Sequence, residues 1–85
     1  MSDVAALRVG ATIEDLDLRD IREMRTRTSD AAAVALYNNL ACGSRNHMRS
    51  FAGQLESRGE RYEAVYVTPA ELAAILASSR EMCGG

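Results

Sequence analysis

Three side chains combine ligand chemistry with helical spacing: Glu14, Asp17 and His47. Residues three or four apart are neighbours on a helix surface, so Glu14 and Asp17 share one side of a helix. Carboxylate oxygens with an imidazole nitrogen make the donor set of di-iron and di-manganese sites in bundle cores, projected inward from facing helices. Carboxylates there bridge and neutralise the cations, while histidine adds a neutral nitrogen and leaves positions open for water or dioxygen. Such sites usually carry Glu-x-x-His on two of the helices. Here the residue three before His47 is Ser44, so the motif is incomplete.

Positioning these residues requires long helices. Ser2 suits an N-cap and Asp3 a first helical turn. From Val4 the apolar stripe runs through Leu7, Ala11, Leu18 and Ile21, with Glu14 at the seam position between Ala11 and Leu18. Ile13, Leu16 and Met24 widen the stripe. This predicts a helix over about 3–27, ended by the Thr26–Asp30 cluster of turn and capping residues. A second helix, about 30–58, is favoured by Ala31, Ala32, Ala33 and Ala35. Its inner stripe reads Ala33, Leu36 or Tyr37, Leu40, Ser44, His47, Phe51 and Leu55, with Gly59 at a left-handed cap. Gly43 within this helix suggests close packing of a neighbouring backbone. Residues 60–67 read as an extended connector laying Tyr62 or Tyr66 against the helices. Thr68-Pro69-Ala70-Glu71 is a capping box with proline at the first helical position, opening a short third helix over about 69–80. Residues 81–85 read as a loose tail.

An antiparallel hairpin of two helices, each about 35–40 Å long, cannot cover both of its inner faces. One short third helix is too small to finish the task. The expected solution is all-α: a homodimer, or a higher homo-oligomer, in which two hairpins form a four-helix bundle. Eighty-five residues bury little surface alone, which points the same way. A net charge of −2 argues against a nucleic-acid partner. No apolar run reaches the roughly 18–20 residues of a membrane span, and the start lacks a signal peptide's basic region, so the expected location is cytoplasmic, or encapsulated within a carrier. Two cysteines allow at most one bridge; Cys42 reads as a small core residue, and neither it nor Cys83 has the companions of a zinc site. No phosphate-binding glycine loop or hydrolase triad is present, and Arg45 and Arg49 read as a solvated or ion-paired face.

A carboxylate at a seam needs compensation. Glu14 can accept from His47 or from an arginine such as Arg45 in a structural network, share a metal, or lie less deeply than the stripe implies; the residues leave all three open. In an ideal hairpin turning near Ser29, Glu14 lies opposite Gly43, with His47 about one turn away, roughly 5–6 Å.

The segments Val9-Gly10-Ala11-Thr12-Ile13-Glu14-Asp15-Leu16-Asp17-Leu18-Arg19-Asp20 and Tyr37–Phe51, which contains Gly43-Ser44-Arg45-Asn46-His47, are more distinctive than periodicity explains. They resemble the C-terminal half of an uncharacterised prokaryotic ferritin-like family, a domain of unknown function. Its third helix is of I-E-x-L-D-I-x-D-L type and its fourth carries G-S-R-N-H-L-x-x-F. Tyr66–Glu71 likewise resembles the Y-L-S-P-E-E of its tail. The resemblance implies a ferritin-like bundle with an iron or related divalent di-metal centre. In it Glu14 matches the third-helix carboxylate, His47 the fourth-helix histidine, and Asp17 a second acidic position. The two earlier helices of typical members have no counterpart, so the chain is a remnant, restores the bundle by self-association, or docks on a separate chain or a nanocompartment shell. The implied role is iron handling or a ferroxidase-type activity. The competing expectation is a non-catalytic helical interaction module in which Glu14 and His47 form a register-fixing network.

Overall fold

The Ser2 side chain accepts the Ala5 N–H at 3.1 Å and opens helix α1, Asp3–Thr26. Asp30 does the same for Ala33 at 2.9 Å and opens α2, Ala31–Glu56. Thr68 accepts the Glu71 N–H at 3.1 Å, with Pro69 next, and opens α3, Pro69–Ala77. The computed structural model describes residues 2–84, which form these three helices and no strand. No helix among them is long and apolar enough to cross a membrane.

Helix ends fall slightly inside the expected ones. After Glu56 the chain closes with Gly59 N–H on the Glu56 carbonyl and Glu60 N–H on the Leu55 carbonyl. That is a Schellman closure, and Gly59 takes the positive φ of 73° that it needs. The capping box at α3 is only half formed. The Glu71 carboxylate turns to Arg22 on α1 instead of back to Thr68, tying α3 to the hairpin.

The core joins Ala11 and Leu18 of α1, Met48 and Leu55 of α2, Tyr62 and Val67 of the connector, and Leu72 of α3. The α1 stripe is buried from Ala11 through Leu18 to Ile21, as the spacing predicts. On α2 the expected inner stripe is only partly inside. Cys42, Ser44, Met48, Ala52 and Leu55 are buried, whereas Leu36 and Leu40 are 56% and 48% exposed. The cause is the connector and α3, which pack on one side of the hairpin and draw Met48 and Ala52 inward. Leu36, Leu40 and His47, within about 40° of one another around α2, are left on the other side. Val9 and Ile13 of α1 are exposed as well.

Gly43 does not mark a close approach; an added Cβ there meets nothing within 4 Å. The close approach is at Gly10, where a Cβ would lie 2.7 Å from the Phe51 ring. Nor is the expected tail loose at Glu81 and Cys83; its last residue, Gly85, lies outside the described residues. Arg45 grips Glu81 with two hydrogen bonds, at 2.7 and 2.8 Å, and Arg49 adds one at 2.9 Å. The Asn46 amide meets the Glu81 backbone at both its N–H and its carbonyl. Cys83 is bonded to Cys42, so the residue expected as core filler is also an anchor. This bridge supplements a small core.

The bridge closes a loop with a sequence separation of 41 residues. In the chain-entropy account such a loop contributes about 4 kcal/mol by restricting the unfolded chain. Reduction, or Cys83→Ser, is expected to lower the unfolding free energy by up to that amount in denaturant titrations. Helical circular dichroism should stay unchanged, because Glu81 keeps its clamp.

Candidate functional site

Glu14 and His47 come together. The His47 ring Nδ1 lies 3.2 Å from Glu14 Oε1, closing the one-turn gap expected of an ideal hairpin. Side chains tilt toward the N-terminus of their own helix. Glu14 therefore leans away from the turn and His47 leans toward it, so the two converge from different levels.

The pair is asymmetric in its surroundings. The Glu14 side chain is 12% exposed and that of His47 67%. Glu14 Oε2 is buried and has no hydrogen-bond partner. With Nδ1 against the carboxylate, Nε2 is the ring nitrogen left for another partner, an arrangement in which a carboxylate orients a ligating imidazole. Asp17 is exposed and makes no hydrogen bond or ion pair among the described residues. No three His, Cys, Asp or Glu side chains gather among the described residues in a way that could hold a metal ion. One chain thus offers two donors side by side, and Asp17 is not brought to them.

The carboxylate that sequence reasoning passed over is Asp15, one step off the seam and wholly buried. It accepts from the Tyr62 hydroxyl at 2.5 Å and from the backbone N–H groups of Val65, Tyr66 and Val67 at 2.7, 3.2 and 2.8 Å. An extended segment with no strand partner must find acceptors for its amides, and that requirement is the signal that could have found Asp15. Burial pushes the Asp15 carboxyl up, but the Tyr62 hydroxyl and the three amides outweigh it and hold the group below its ordinary 3.8. Burial, then the bond to Asp15, pushes the Tyr62 phenol up to about 12. Tyr66 stays outside, 4.8 Å from the Arg19 guanidinium.

Arg45, Asn46 and Arg49 flank His47 in sequence but serve the C-terminal segment. Hydrogen bonds from Arg45 and then Arg49 pull the Glu81 carboxyl down to about 2. Arg49 also donates to the Ile75 carbonyl at 2.8 Å, joining α2 to α3.

Residues 1–79 match the family described as the uncharacterized protein domain DUF2202. The chain belongs to this family. It is 44% identical over 80 residues to the uncharacterized protein MJ0754 of Methanocaldococcus jannaschii, covering 94% of this chain and 43% of that protein. The crystal structure of hypothetical protein MJ0754 superposes with a TM-score of 0.92 over 94% of this chain and 46% of the other. The chain therefore spans less than half the length of this relative. Membership in this family does not by itself show a ferritin-like relationship.

Asp15 and Glu81 both have folded-state carboxyls below their ordinary values of 3.8 and 4.5. Each contributes stability that is full above the ordinary value and lost as pH falls through the folded one, near 2 for Glu81. The unfolding free energy is expected to decline between about pH 5 and pH 2. Asp15→Asn should remove about 2–4 kcal/mol at neutral pH, because an amide faces four donors, and should flatten that decline. Denaturant titrations of both proteins across this range check it.

Proposed function

We propose that this chain is a metal-binding, ferritin-like half-bundle whose Glu14 and His47 form half of a site for a divalent transition metal, iron first among them. The observation that carries the reading is Glu14 Oε2, a buried carboxylate oxygen without a partner beside an imidazole with a free nitrogen. A buried unsatisfied oxygen costs about 1–3 kcal/mol, and a cation is one way to satisfy it. The donor chemistry suits a first-row divalent ion, with hard oxygen from Glu14 and borderline nitrogen from His47. Two donors fit the group as a half-site; the remainder must come from a facing surface, with Asp17 one turn away as a further acceptor or ligand. Iron held there supplies one-electron redox chemistry toward dioxygen. The chain's own part is to fix the imidazole through Nδ1 and to keep the carboxylate dry.

A second reading has its own support. The 3.2 Å contact alone makes Glu14 and His47 a polar seam pair, which can fix helix register in a non-catalytic interaction module.

Anaerobic incubation with Fe(II), followed by desalting and elemental analysis, separates the two. The metal reading expects iron retained by the native protein and a loss of at least tenfold in Glu14→Ala and in His47→Ala, with helical content unchanged. A native protein that retains no iron overturns the metal reading and favours the interaction module.

A further inference from the structure

The hairpin has two sides, and the described residues cover one. Asp15, Cys42 and Arg49 face the connector, α3 and the C-terminal segment. Ile13 lies about 160° around α1 from Asp15, and His47 about 160° around α2 from Arg49. On that second side Val9, Ile13, Leu36 and Leu40 are each about half exposed. Gly43 lies among them, with open space where a side chain would be.

We propose that this open face seats a second copy of the same chain across a two-fold axis, so that two Glu14–His47 pairs meet there. Three observations select this occupant. The first is area. The 24 residues of α1 span about 36 Å, and two helices side by side are about 20 Å wide. The face thus offers about 700 Å² per copy, close to the roughly 800 Å² per partner of a standard stable interface. The second is self-complementarity. Glu14 is the twelfth of the 24 residues of α1, with the apolar pair Leu36 and Leu40 toward the turn and Val9 toward the other end. A two-fold axis lying in this face and crossing the middle of α1 sets the turn end of one copy, with Leu36 and Leu40, against the far end of the other, with Val9, so apolar ends meet apolar ends, as an isologous contact requires. The third is the site itself. Among the described residues one chain gathers two donors and no third, and a two-fold doubles them. Only this last point rests on the metal reading; the first two stand without it.

The test is the mass of the full chain in solution, by light scattering at about 50 μM in metal-free buffer with chelator, repeated for Leu40→Glu and Val65→Glu. Leu40 is exposed in the single chain, so its substitution leaves the hairpin intact, as circular dichroism would confirm. Val65, 64% exposed on the connector, is the control on the covered side. The expected result is twice the chain mass for the native protein and for Val65→Glu, with at least about a hundredfold weaker association for Leu40→Glu. A native monomer overturns the proposal, as does a Leu40→Glu variant that still pairs as tightly. The two readings fail separately: a dimer that retains no iron keeps the interface and removes the metal function. A monomer that retains iron does the reverse.

Discussion

A wholly buried carboxylate organises this small protein. Asp15 takes four hydrogen bonds from the connector, three of them from consecutive amides, and so replaces the missing strand partner of residues 65–67. A bare hairpin of two helices presents a long face with nothing to hold a third element in place. The Asp15 oxygens turn an extended segment into a fixed one, and α3 follows it onto the hairpin through Val67 and Leu72. A buried charge is costly alone and tolerable when its lone pairs are filled, which four donors accomplish here.

From that anchoring follows the handedness of everything else. Once the connector is fixed on the Asp15 side, Met48, Ala52 and Cys42 turn inward. The opposite side keeps Leu36, Leu40, Ile13 and His47 at the surface. The Glu14–His47 pair sits at the border between the two regimes, which explains why one partner is nearly buried and the other mostly exposed. Its polarity is tolerated because it is neither in the closed core nor on a freely solvated face.

Much of the helical frame was legible in the sequence because it rests on local chemistry. Ser2, Asp30 and Thr68 cap where their side chains predict, and Gly59 takes the left-handed conformation that ends α2. The convergence of Glu14 and His47 was legible in kind, although ideal levels left them a turn apart; the tilt of side chains along each helix supplied the rest. What could not be read was set by long-range contacts. Periodicity marks an apolar stripe without saying which flank of it faces inward, and so places Leu36 or Tyr37, and Leu40, inside. Asp15 carried no periodic signal. Cys83 and Glu81 lie beyond the last helix, where no local pattern announces a partner 41 or 36 residues away.

The segment Gly43-Ser44-Arg45-Asn46-His47 is distinctive because successive residues answer to unrelated neighbours. Ser44 is buried between the helices, Arg45 and Asn46 hold Glu81 on one side, and His47 meets Glu14 toward the other. Each step along α2 turns the side chain by about 100°, so a rotation of the helix by one residue would exchange these roles and break all of them together. The tail clamp therefore does more than fasten the C-terminal segment. By fixing the angle of α2 about its own axis, it fixes the direction in which His47 points, and Cys42 bonded to Cys83 one turn earlier enforces the same angle. The geometry of the open face is thus tied to that of the covered one through the single helix that carries residues of both.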